Sequence, residues 1–204
     1  MRKTAILILL PALLLGCAAP ASGPGAAATP ATALAPAQQT FWSNLQQLCG
    51  QAFRGTQREA PAGDTTFVNR ELVMHVRECT EEGIRIPFHV GQDRSRTWVL
   101  TRTDGGLRLK HDHRHEDGTE DEVTQYGGDT AVPGSAQRQE FRADAHTASL
   151  IPAAATNVWT VEVVPGEMFA YALRREGTDR RFRIEFDLTR PVAPPPAPWG
   201  WQEN

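Results

Sequence analysis

His111, His113 and His115 end a run of alternating residues that begins at Leu107. Side chains on a β-strand point to opposite faces in turn, so this spacing puts three imidazoles on one face, in line with Leu107 and Leu109. Neutral imidazole is a good ligand for Zn²⁺ or Cu²⁺, and a His-x-His pair needs only a third donor to hold either ion. His75, or an acid of the following turn (Glu116, Asp117 or Glu120), could supply it. The competing assignment is a polar network, with the same rings lining one mouth of the fold and satisfied by acids and water. Arg108, Lys110, Asp112 and Arg114 alternate with them and would face solvent.

Other chemistry is poorly represented. No Gly-x-Ser-x-Gly elbow is present. Tyr126-Gly127-Gly128-Asp129-Thr130 does not open a helix and reads as a bulge or turn rather than a phosphate loop. No catalytic residue is assigned, and enzyme status stays open, with a non-catalytic role favoured over a metalloenzyme. Arg94, Ser95, Arg96 and Arg102 could meet an anionic group or be solvated strand ends. The formal net charge of −3 argues against nucleic acid, whose binding rests on clustered Lys and Arg. Of the three cysteines, Cys49 and Cys79 form an even pair. In an oxidising compartment they would be bridged; the alternative is two free thiols.

The elements that must position these residues are mostly strands. Phe41, Leu45 and Leu48 follow helical spacing and predict one short helix over 41–49, with Thr40 as its cap. Nine strands follow from period-two patterning: Glu71–Cys79, Ile84–Val90, Arg96–Thr103, Leu107–His115, Glu122–Tyr126, Gln137–Phe141, Asn157–Val164, Met168–Arg175 and Arg181–Thr189. The stretch 142–156 reads as irregular, a lid or a crossover. Hairpin signals such as Asp104-Gly105 and Pro165-Gly166 join neighbours. The expectation is an all-β, antiparallel up-and-down meander, closed into a barrel because an open sheet of that width leaves long edges. Met74, Phe88, Trp98, Phe169, Tyr171, Phe182 and Phe186 are candidates to line a ligand cavity in it, or to fill it.

The ends divide the chain further. Residues 1–16 combine Arg2 and Lys3 with an apolar run, Ala5 to Leu15, and read as an export signal. Residues 17–39 form an Ala/Pro linker, 40–190 the barrel domain, and 191–204 a proline-rich tail whose Trp199 and Trp201 could dock on it. Leu14-Leu15-Gly16-Cys17 resembles the lipobox of bacterial lipoproteins. That resemblance implies lipidation at Cys17 and anchoring in the cell envelope. Ala18, where an Asp would favour inner-membrane retention, points to the outer membrane facing the periplasm.

A helix followed by such a meander resembles the lipocalin and fatty-acid-binding superfamily. The likeness is architectural: the Gly-x-Trp motif is absent, and Ala52-Phe53-Arg54-Gly55 stands near its place. His-x-His after Gly105 also resembles the first cupin motif, but Asp117 stands where that motif has Glu, and the second motif is missing. The reading is therefore a non-catalytic envelope lipoprotein that binds a small apolar ligand or an envelope partner. The alternatives are a metal-binding protein or metalloenzyme holding Zn or Cu on the His111, His113 and His115 strand, and a structural accessory protein of an envelope complex.

Overall fold

Apolar residues at every second position must share one side of a sheet, and here that side is turned inward on itself. The computed structural model describes residues 33–202. The expected export signal, the expected lipid site at Cys17 and most of the expected linker lie outside them. Ala31–Asn204 forms one compact unit. Among the described residues, that unit holds the core, every strand pairing and both bridged cysteines, the interactions on which its folding rests.

Among the described residues, eleven strands follow a first helix: α1 (Pro36–Gln46), β1 (Ala52–Glu59), β2 (Leu72–His75), β3 (Glu78–Cys79), β4 (Gly83–Val90), β5 (Asp93–Thr103), β6 (Gly106–His113), β7 (Tyr126–Thr130) and β8 (Arg138–Ala143). A second short helix, α2 (Ala145–Leu150), and a 3-10 turn (Pro152–Ala154) precede β9 (Asn157–Val164), β10 (Met168–Arg175) and β11 (Arg181–Val192). All pairings are antiparallel. β1 pairs with β11, and β2 with both β1 and β4, so ten strands close into a barrel and no long edge is left open. β3 lies beside β4 beyond the end of β2.

The barrel has two halves. At the end marked by the Asp104-Gly105 turn, α1 lays Phe41, Trp42 and Leu45 against a core containing Phe53, Ile86, Leu100, Phe141 and Phe186, all essentially without solvent contact. Burial of each such side chain stabilises the fold by roughly 1.5–3 kcal/mol. Gln38 Nε2 donates to Thr130 Oγ1 at 2.9 Å and Arg102 bonds Gln39, seating the helix on the strand ends. The helix begins before the expected Phe41, because Pro36 occupies its first turn, where a missing N–H costs nothing. Past its end, Cys49 is bridged to Cys79, Cα to Cα 6.1 Å.

Several expected strands have other bounds. Glu71–Cys79 is broken at Val76, whose N–H bonds Gln51 O (3.0 Å) and whose carbonyl accepts from Gly50 N (2.7 Å) instead of continuing the ladder. β1 carries no period-two signal because Gly55 occupies an inward position. A Cβ there would lie 2.7 Å from the Phe186 ring. Of the expected strand Glu122–Tyr126, residues 122–125 are loop and Tyr126 opens β7, the glycine stretch read as a turn. It runs so close to its neighbours that a Cβ on Gly127 would lie 2.0 Å from Leu109 O, and one on Gly128 1.5 Å from Arg142 O. The supposedly irregular stretch 142–156 holds α2, capped by Asp144, whose Oδ1 accepts from Thr147 N at 2.8 Å. The buried Thr147 Oγ1 also bonds both backbone groups of Gly127 at 2.7 Å, fixing α2 to β7.

Candidate functional site

The other half of the barrel is not filled. It holds a cavity of about 310 Å³, open at the end opposite α1. Trp98, from β5, reaches across to Tyr171 on the opposite β10 and stacks on it with ring centroids 4.4 Å apart. Phe88 stacks on the other side of Trp98 at 4.9 Å. These rings floor the cavity. Trp159, Leu173 and Phe182 wall it, Phe67 closes in from the 60–71 loop, and Ile151 and Ala154 reach it from the segment between β8 and β9. Of the seven residues expected to line a cavity, Phe88, Trp98, Tyr171 and Phe182 do so. Met74, Phe169 and Phe186 are buried in the core beneath.

The polar groups in its depth are neutral. His111 is 3% exposed, and its Nδ1 lies 3.0 Å from Tyr126 O while its Nε2 lies 2.6 Å from Tyr171 Oη. A carbonyl can only accept, so Nδ1 carries the proton and Tyr171 donates to Nε2. Burial pushes the His111 pKa down to about 3. Burial raises the Tyr126 phenol to about 12, and raises that of Tyr171 as well. The His111 ring also stacks on Tyr126 at 4.4 Å. Nearer the mouth, His113 Nε2 meets Tyr126 Oη at 3.2 Å; burial, then the charge of Arg96, lowers its pKa.

The strand geometry does align His111 and His113 on the inner face with Leu107 and Leu109. It does not gather the four candidate metal ligands. β6 ends at His113, and His115 sits exposed on the loop that follows. There its ring, Asp121 and Glu122 offer ligand atoms within 4.8 Å of one another, the one such group among the described residues. Met74 faces the core, so His75 faces the outside of β2, yet it is only 6% exposed. Its neighbour His89 is 4% exposed and, mainly through burial, lowered to about 4.

The arginines expected as one cluster serve three places. Arg96 lines the cavity and is paired with Asp93, while Arg102 bonds Gln39 at the α1 end. Arg94 holds the tail: its Nη1 donates to Ala197 O, and its own carbonyl accepts from Trp199 N, both at 3.1 Å. Arg77 lies 4.8 Å over the Trp201 ring. The tail thus docks on the outer wall, where Trp199 and Trp201 adjoin Asp112, an acid bonded by Arg85 (2.7 Å) and Arg114 (2.8 Å).

Sequence reasoning missed Trp159, Tyr126, Arg175 and Arg180 as cavity residues. Trp159 and Arg175 share the inward parity of Val161 and Tyr171, which was readable once the register was known. Tyr126 was hidden by the displaced start of β7. Comparison with protein-family models, curated proteins and solved structures finds no match.

Proposed function

We propose that the protein is a non-catalytic binding barrel of the bacterial cell envelope, anchored through lipid on Cys17 and holding a small, largely apolar ligand in its open half. The observation that carries this reading is the cavity itself: about 310 Å³, floored by stacked Trp98 and Tyr171 and walled by Trp159 and Phe182. Ligand sites are typically concave, apolar clefts of about 300–1,000 Å³ with a few placed polar groups. A closed antiparallel barrel with a helix across one end supports a lipocalin-like assignment. The lipobox-like Leu14-Leu15-Gly16-Cys17 supports export and anchoring, with the outer membrane as the expected site.

Two features favour binding over catalysis or a metal centre. Both ring nitrogens of His111 are engaged, by Tyr126 and Tyr171, and the ring stays neutral far below physiological pH. An open cavity and a docked tail also speak for a binder over a filled accessory barrel with Trp199 and Trp201 exposed.

The test is fluorescence titration of the unit Ala31–Asn204 with the neutral probe N-phenyl-1-naphthylamine. Saturable enhancement is expected, and Leu173→Trp, which fills the cavity from its own wall, is expected to abolish it. Equal binding by that variant would contradict the assignment. For the anchor, the full chain should incorporate radiolabelled palmitate in a bacterial host and lose it in Cys17→Ser.

A further inference from the structure

The body of a ligand is set by the floor, and its head by the mouth. A flat wall makes most contact with a flat partner, and here the floor is a stack, Phe88 on Trp98 on Tyr171, with Phe67 and Phe182 in contact at 5.2 Å beside it. Such rings favour offset or edge-on aromatic partners. Nothing in the depth of the cavity carries charge: His111 is neutral and donates inward to a backbone carbonyl. An ionised group there would lose its water without a counter-charge.

The mouth is different. Arg96 is neutralised by Asp93, and Arg180 is faced by Asp64, whose pKa is lowered first by Thr66 and also by the Arg180 charge. Arg175 has no such partner. Its Nε donates to the neutral Asn157 Oδ1 at 2.9 Å, and among the described residues no carboxylate pairs with it. On the outer wall the arrangement is the reverse: Arg138, Arg142, Arg174 and Arg183 are each paired with glutamate. One uncompensated guanidinium is therefore left half-buried at the mouth of an aromatic cavity, in a chain of net charge −3. A guanidinium held at Nε presents its remaining N–H groups as a fork suited to a planar or tetrahedral oxyanion.

We propose that the cavity's ligand is an aromatic anion with a single acidic group, its rings on the Trp98–Tyr171 floor and its carboxylate, sulfonate or phosphate against Arg175. This rests on the binding function above and narrows it to one chemical class.

The experiment compares 1-anilinonaphthalene-8-sulfonate with N-phenyl-1-naphthylamine, which has the same two ring systems and no acid. Both are titrated into the unit Ala31–Asn204 and its variants. The wild type is expected to bind the sulfonate more tightly. Arg175→Gln should weaken the sulfonate about tenfold and change the neutral probe by less than about twofold. Asp64→Asn, which removes an opposing charge from an exposed loop, should tighten the sulfonate alone. Leu173→Trp should abolish binding of both. If Arg175→Gln and Asp64→Asn move both probes together, or neither, the anionic head is refuted while the binding cavity stands. Sulfonate binding that survives Leu173→Trp places the probe elsewhere and overturns the proposal. Failure of both probes to bind the wild type overturns it together with the binding function.

Discussion

Replacing His111 by glutamine should flatten the acid limb of the barrel's stability curve. In the folded state the ring is 3% exposed and neutral, with a pKa near 3 against the ordinary 6.5 that it regains on unfolding. The unfolded chain therefore takes up a proton as the pH falls through 6.5, and the folded chain does not. Stability is fully present above that value, is lost as the pH falls below it, and levels off near the folded pKa. Each pH unit in that window is worth about 1.4 kcal/mol, so by about pH 5 the loss from this one ring is roughly 2 kcal/mol. The figure is insensitive to the folded value, because any pKa of about 4 or lower gives nearly the same result at pH 5. His75, His89 and His113, also lowered by burial, add the same sign of dependence. They act equally in wild type and variant and cancel in the difference. Glutamine keeps one donor for Tyr126 O and one acceptor for the Tyr171 hydroxyl. The assay is urea unfolding of both chains at about pH 7.5 and pH 5, read by tryptophan fluorescence, with the variant losing about 2 kcal/mol less. Equal losses would mean that His111 protonates in the folded barrel, and the assigned neutral network would be wrong.

Three further outcomes are expected. Cys79→Ser, or reduction of the bridge to Cys49 across 30 residues, should cost roughly 3–4 kcal/mol in denaturant unfolding, since that loop closure restrains the unfolded chain. Gly128→Ala should prevent folding, because its Cβ would fall 1.5 Å from Arg142 O; circular dichroism and solubility report this, and a stable variant would contradict the close strand approach. Elemental analysis of the untagged unit Ala31–Asn204 should find no stoichiometric zinc or copper, and no difference when His111 and His113 are both replaced by glutamine.

The meander was legible where inward positions are all apolar. In β9, β10 and β11, Trp159, Val161 and Val163, Phe169 and Tyr171, and Phe182, Ile184 and Phe186 alternate without a break, and the expected and observed strands nearly coincide. It was illegible where the inward position is glycine. Gly55 in β1 and Gly128 in β7 are small so that Phe186 and the Arg142 backbone can approach, and removing the side chain also removes the period-two signal. α2 has only six residues, too few for a 3.6 period to show, and its one sequence mark is Asp144 three residues before Thr147. Within the site, the shared face of Leu107, Leu109, His111 and His113 followed from spacing alone. What those histidines meet did not. Tyr171 is sixty residues from His111 in sequence, and only barrel closure brings its hydroxyl to 2.6 Å. The position of Arg175 at the mouth likewise depends on which end α1 closes, and no local pattern encodes that.

The five tryptophans allow the most direct test of a ligand site inside the barrel, since they report from three places: Trp98 and Trp159 from the cavity, Trp42 from the α1 plug, Trp199 and Trp201 from the outer wall. Their indole N–H signals can be followed by ¹⁵N NMR while N-phenyl-1-naphthylamine is added to the unit Ala31–Asn204. The Trp98 and Trp159 signals are expected to move and saturate together while the other three hold still. Saturating shifts confined to Trp199 and Trp201, or no shift at any of the five, would contradict a ligand site inside the barrel.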